Sequence, residues 1–300
     1  MKRTIALFMA LFAILIHPGS SRAQDYVTTS EDKALAGKIL NLLHEKYLSA
    51  RIAGDPMETA DLMVIAAKEL IGVPYVAGTL DEDPSAEKMR IYLTKTDCII
   101  FVETCLNLAR TVTQAGESSP SFNDFVSNIE HTRYRKDPPF TYSDRIHYTT
   151  EWVRRQEGTL KDMTMELGGE INDHPISFMS AHPKSYKQLA DADNIPRAAL
   201  DLKAIKDVEK ELNKLPMTQI PKAKIAAVAE GIRSGDIICF VSTIEGLDIA
   251  HVAIACVENG RVGFIHASQN DGKVEIDART IEEYVSRRSN LSGIKVIRPL

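Results

Sequence analysis

The 300-residue chain has one tryptophan, four cysteines and no cluster of basic residues. So few thiols exclude a small domain stapled by disulfides. Cys98 and Cys105 fall on one expected helix. At the helical rise their Cα atoms stand ~10 Å apart, beyond the ~7 Å reach of a disulfide. Cys239 and Cys256 fall in two apolar runs, where they either pair across neighbouring strands or act as small buried hydrophobes. Asp and Glu (41) outnumber Lys and Arg (36), for a net charge of −5. The densest basic piece is Arg133-Tyr134-Arg135-Lys136. Phosphate neutralisation needs far more than that, so no nucleic-acid partner is expected. No Cys-x-x-Cys or His-x-x-x-His spacing suits a metal, and no cofactor motif is present, so neither group is expected.

Long apolar runs are also missing, with one exception at the start. Lys2 and Arg3 precede an apolar stretch at residues 5–16, and Ser21-Arg22-Ala23 offers small residues around a cleavage point. The stretch is short for a membrane span and reads as a signal peptide at 1–23. The expected product is an exported, periplasmic chain of residues 24–300, with no integral membrane segment left. That length suits a single catalytic domain.

Helical periodicity dominates the first part. Leu35, Ile39, Leu42, Leu43 and Tyr47 share a stripe within 31–50. Ala60, Met63, Val64, Ala67, Leu70 and Ile71 form a second within 59–71, ended by Gly72 and Pro74. A third helix is expected over 97–112, capped by Asp97. Its first half carries almost no polar face, so protein must surround it. Residues 116–231 are mixed and read as an insertion. It has a short helix or strand at 125–131, a helix at 148–157, and helical stretches at 183–212 interrupted by Pro196.

Strands dominate the end: 236–242, 249–257, 262–267, 273–277 and 293–298. Asn259-Gly260 is a hairpin signal between the second and third. The layout is α+β, an antiparallel meander beside a cysteine-bearing helix.

Cys98 stands on the first turn of that helix, where the macrodipole favours a thiolate. In the second strand His251, Ala253 and Ala255 share a face. Pairing centred on Asn259-Gly260 makes residue i face roughly 519 − i, so His251 and His266 become diagonal neighbours ~7–8 Å apart. A helix covering that face would bring the thiol to His251. The roles follow: Cys98 as nucleophile, His251 as general base and acid, His266 as the group that orients His251. Tyr75 is a candidate second oxyanion donor beside the Cys98 N–H. Glu103 reads as structural.

The motif order adds a family resemblance. Gly72-Val73-Pro74-Tyr75-Val76-Ala77-Gly78 followed by Asp97-Cys98 resembles the GxPYxxG and DCSGFV signature of NlpC/P60 cell-wall hydrolases. Ser234-Gly235-Asp236-Ile237, Ala250-His251-Val252-Ala253-Ile254 and Ile265-His266-Ala267-Ser268 resemble three later motifs in the same order. Ile99-Ile100 departs from the usual Ser-Gly. Pro74–Asp81 and Arg145-Ile146-His147-Tyr148 with Trp152 are similar to the narrower DUF1460 branch. The resemblance implies a papain-like fold and a Cys-His-His triad at Cys98, His251 and His266. It also implies muropeptide or peptidoglycan fragments as substrate, with cleavage between N-acetylmuramic acid and L-Ala. His147, Tyr148 and Trp152 are then candidates for substrate contact, with the Trp152 indole either exposed and stacking on a sugar or buried as a core residue of its helix face. A γ-D-glutamyl-diamino-acid endopeptidase and a non-catalytic cell-wall binding module are the alternatives.

Overall fold

The computed structural model describes residues 26–83 and 86–300. The expected signal peptide lies outside the described residues. The helices are α1 (Ser30–Ala53), α2 (Thr59–Glu69), α3 (Cys98–Ala115), α4 (Phe122–Arg133), α5 (Thr149–Arg154), α6 (Phe178–Ala181), α7 (Ile195–Leu212), α8 (Ile225–Val228) and α9 (Ile281–Ser286). Among the described residues, no helix is long and apolar enough to cross a membrane.

Side-chain caps fix where the main helices begin. Thr29 accepts from Asp32 N, and Asp32 returns the bond to Thr29 N, closing a capping box on α1. The other oxygen of Asp32 accepts from Leu93 N, Thr94 N and Thr94 Oγ1, each at 2.8 Å. One buried carboxylate therefore ties the start of α1 to the segment that leads into Cys98. Burial pushes its pKa up, but these hydrogen bonds outweigh that and hold it below the ordinary value. Asp32→Ala leaves the Leu93 and Thr94 N–H groups without their acceptor. It should lower unfolding stability by about 3 kcal/mol or more, read from the urea midpoint at neutral pH.

Helix α3 is buried at every position from Ile100 to Val112. Asp97 caps it by accepting from Ile100 N at 2.9 Å. Most of its polar side chains are paired within the protein, although Asn107 Oδ1 has no partner. Glu103 accepts from Arg133, Asn107 bonds Thr132, and Arg110 bonds Thr159. The Arg133 pairing gives Glu103 a place in the packing, and both residues also line the cavity of Cys98. Pro196 falls in the first turn of α7, where no backbone N–H is needed, so it begins a helix rather than interrupting one.

The strands are β1 (Tyr26–Val27), β2 (Met89–Arg90), β3 (Leu160–Asp162), β4 (Glu170–Asn172), β5 (Met217–Pro221), β6 (Ile237–Ser242), β7 (Ile249–Glu258), β8 (Arg261–Ser268), β9 (Lys273–Ile276) and β10 (Leu291–Pro299). β1 and β2 form a small parallel pair. The main sheet runs β4-β5-β10-β6-β7-β8-β9, with β3 also on β10, and all its pairings are antiparallel. Residues 116–231 supply β3, β4 and β5 to this sheet. The β7–β8 hairpin turns on Asn259 (φ 52°) and Gly260 (φ 75°), the left-handed pair of a type I′ turn. Glu258 faces Arg261 and Ile254 faces Ile265, the register that the Asn-Gly position dictates.

The sheet is covered on both faces. Val252, Ile254, Cys256 and Ile265 pack with Ile39, Leu62, Phe101 and Leu106 of the helical layer. Ala253, Ala255, Phe240 and Phe264 pack with Tyr284 and Val285 of α9. Helix α3 therefore covers the Val252 face and not, as the strand pattern suggested, the face of Ala253 and Ala255. The alanines leave room for the Phe240, Phe264 and Tyr284 rings, and the larger Val252 and Ile254 fill the space against the helices. All four cysteines are free thiols.

Candidate active site

The segment before α3 is clamped on both sides. Gly72 N donates to Val274 O and Tyr75 N to Gly272 O, each at 2.8 Å. On the other side Val76 N donates to Thr96 O at 2.8 Å and Thr96 N to Pro74 O at 3.0 Å. Tyr75 is thereby held, half-buried, beside the Asp97-Cys98 turn.

Cys98 and His251 line one cavity of about 210 Å³, together with His147, Tyr148 and Trp152. Sequence positions far apart in the chain, among them the three candidates for substrate contact, thus meet around the thiol. Tyr75 is not among the residues lining it. Trp152 is 3% exposed, so of its two readings the buried one holds, and its indole is a cavity wall rather than a surface platform. Its Nε1–H has no hydrogen-bond partner. By contrast, His147 Nε2 bonds Tyr142 O at 2.8 Å, and Tyr148 Oη donates to Glu209 at 2.7 Å while accepting from Met179 N. Their polar tips are already occupied.

His251 Nε2 and His266 Nδ1 are 2.8 Å apart. The hairpin register brings the two residues close, and the facing side chains complete the contact. The His251 ring stacks against a pair of touching rings, Phe240 (5.6 Å) and Tyr284 (6.2 Å), which are 4.8 Å from each other. His266 is buried, with its ring edge-on to Phe264 and Tyr284.

Burial controls the resting protonation. It pushes the Cys98 thiol up to about 12, with the Asp97 charge adding to the effect and backbone N–H groups of Val252 and Ile99 opposing it. The helix N-terminus does not prevail over burial, so the thiol is neutral at rest, contrary to the simple reading of its place in the helix. Burial, the other imidazole and Arg288 press His251 down to about 3. Burial also lowers His266 to about 4, against the pull of Asp277. Both imidazoles are therefore neutral near pH 7. Tyr75 is raised to about 12 by burial and by the Cys98 and Asp97 charges, and keeps its proton.

Asp277 and Arg288 escape the sequence reading. Asp277 Oδ2 lies 3.4 Å from His266 Nε2, without the alignment of a hydrogen bond. Arg279 holds Asp277 by two contacts of 2.7 and 2.6 Å. Extending the meander by one more hairpin would have found it. The β8–β9 ladder sets His266 opposite Glu275, which brings Asp277 to the diagonal position. Among the described residues, no group of three or more His, Cys, Asp or Glu is gathered to hold a metal ion.

The family model described as AmiA-like, N-acetylmuramoyl-L-alanine amidase-like, matches residues 65–294. Among matching solved structures is a putative xylanase from Bacteroides fragilis, 30% identical, with a TM-score of 0.69 over 78% of this chain and 99% of that one. An N-acetylmuramoyl-L-alanine amidase from Bacteroides uniformis is 30% identical, with a TM-score of 0.71 over 81% of this chain and 99% of that one. A Legionella pneumophila protein assigned to the family model DUF1460 is 20% identical. It has a TM-score of 0.60 over 89% of this chain and 96% of that one, a likeness of fold. No curated protein matches the chain.

Proposed function

Since the chain belongs to the AmiA-like family of N-acetylmuramoyl-L-alanine amidase-like proteins, we propose that it cleaves the amide between N-acetylmuramic acid and L-Ala. Cys98, His251 and His266 act as its triad. The observation that carries this reading is the 2.8 Å contact between two neutral histidines, one of which lines the cavity of Cys98. We read the helix and sheet as the papain-like arrangement of NlpC/P60 hydrolases, and residues 116–231 as an insertion that completes the cavity. Export to the periplasm suits a cell-wall substrate.

The mechanism follows from the protonation states. A His251 proton on Nε2 is donated to His266 Nδ1, which leaves His251 Nδ1 free to act as base. His266 then carries its own proton on Nε2, facing Asp277. On attack, the Cys98 proton passes to His251 Nδ1 as the sulfur–carbon bond forms at the lactyl carbonyl. The Cys98 N–H, at the first turn of α3, is placed to donate to the developing oxyanion, with Tyr75 as the second donor. Collapse breaks the carbon–nitrogen bond, and His251 gives its proton to the leaving L-Ala amine. Water, deprotonated by His251, then hydrolyses the thioester. The reading is tested with a defined muramoyl tetrapeptide and mass spectrometry of the products. An amidase yields free sugar and an intact stem beginning with L-Ala. A shortened stem still attached to the sugar would instead mark a γ-D-glutamyl endopeptidase.

Asp277 acts through His266 and is a positioning residue. When His251 is protonated, the carboxylate steadies the proton on His266 Nε2. Asp277→Asn keeps the shape and removes the charge. It should lower kcat about tenfold, equivalent to ~1.4 kcal/mol, with KM unchanged. A purely structural role would change the melting temperature and leave kcat of the folded fraction intact.

A further inference from the structure

We propose that a recess on the far side of His251 is a carboxylate subsite for the leaving peptide, with Arg288 as its anchor. This rests on the amidase reading. A second cavity, about 200 Å³, is lined by His251, His266, Gln269, Asn270, Arg288 and Asn290, among others. It shares Ala250 and His251 with the cavity of Cys98. The imidazole thus stands between two recesses of opposite character. The first is walled by Trp152, Tyr148 and Ile99, and its guanidinium, Arg133, is already paired with Glu103; the second carries amide side chains and the guanidinium of Arg288.

Arg288 is held ready for an anion. Its guanidinium lies 3.4 Å over the Tyr284 ring, and Nη1 donates to Tyr284 O at 3.2 Å. Among the described residues it makes no ion pair. The neighbouring cation, Arg279, differs in being occupied by Asp277. Asp271, next in the chain after the lining residues Gln269 and Asn270, is engaged by Ser268, whose Oγ donates to it at 2.8 Å. The Tyr284 ring that carries Arg288 is itself stacked on His251. An anion held by Arg288 is therefore one aromatic ring away from the group that protonates the departing amine.

The order of the reaction gives each recess its half of the substrate. The acyl half stays on Cys98 and occupies the aromatic cavity. The amine half leaves past His251, and the chain beyond that amine enters the second recess. In a peptidoglycan stem the residue after L-Ala is D-Glu linked through its γ-carboxyl, so a free α-carboxylate follows the leaving amine closely. A guanidinium binds such a group through paired charge-assisted hydrogen bonds, with the surrounding amides as further donors. Neutralising Arg288 also removes one of the charges that depress the basicity of His251, so the correct peptide would assist its own cleavage.

Calorimetry on the full chain tests the subsite without turnover. The inactive Cys98→Ala protein is titrated with L-Ala-D-Glu and with the same dipeptide carrying an α-carboxamide. The acid should bind about tenfold more tightly than the amide, the scale of one charge-assisted contact. Arg288→Gln in the same background should erase that ratio, and Arg288→Lys should restore part of it. Equal affinity for acid and amide, or an unchanged ratio in Arg288→Gln, overturns the subsite. Failure of the wild type to release L-Ala-headed peptide from a muramoyl peptide would overturn the amidase reading separately.

Discussion

Cys98→Ala should retain less than about one part in 10⁴ of wild-type kcat on a muramoyl peptide. The alanine protein has no atom that can carry the acyl group, and His251 would have to activate water against an unstrained amide. Cys98→Ser should fall almost as far. An alcohol holds its proton more tightly than a thiol, and His251, pressed down to about 3, is a weak base for it. Neither change should disturb folding, since the thiol is half-buried at the cavity wall and both replacements are no larger than the cysteine. Melting temperatures near wild type with product release lost is the expected pair of results. Peptide release by folded Cys98→Ala would remove the sulfur from the chemistry.

His251→Ala should lose nearly as much, and its pH profile should change shape. With the thiol near 12, only about one molecule in 10⁵ carries a thiolate at pH 7. Wild type avoids this scarcity by moving the proton to His251 during attack. The alanine variant depends on the rare thiolate, so its rate should climb about tenfold per pH unit between pH 7 and 10. Wild type should behave differently at the acid end. The base works unprotonated, and a depressed pKa keeps it unprotonated as pH falls. Activity is therefore lost only as pH drops through about 3 to 4, well below the ordinary histidine range. Steady-state kcat/KM for both proteins over this range decides the matter. An acid limb near 6.5 in wild type, or a flat profile in His251→Ala, would contradict the neutral resting pair.

Local signals carried much of the fold. Asp97 begins its helix where capping chemistry places it, and the apolar length of α3 correctly demanded enclosure on all sides. Asn259-Gly260 set the hairpin register residue by residue, which is why two histidines fifteen positions apart could be brought together on paper. Long-range choices were not legible. The face of β7 that meets α3 depends on the Phe240, Phe264 and Tyr284 rings claiming the alanine side, a competition among three separate segments. The short strands β3, β4 and β5 have too few residues to show a period, and their place beside β10 is set by tertiary pairing. For Trp152 both a sugar platform and a core position stayed open, because α5 alone does not reveal what covers it. The thiol's electrostatics were misjudged for a similar reason. The helix dipole is visible in sequence, whereas desolvation is the sum of everything packed around Cys98.

In the proposed reaction the sulfur of Cys98 takes the lactyl carbonyl and water later replaces it there. Hydrolysis of a defined muramoyl tetrapeptide in ¹⁸O-labelled water tests this most directly, with each product weighed by mass spectrometry. One ¹⁸O should appear in the carboxylate of the released muramic acid, none in the peptide, and no label should be incorporated with Cys98→Ala. Label in the glutamyl carboxylate of a shortened stem, or labelled sugar from Cys98→Ala, would contradict it.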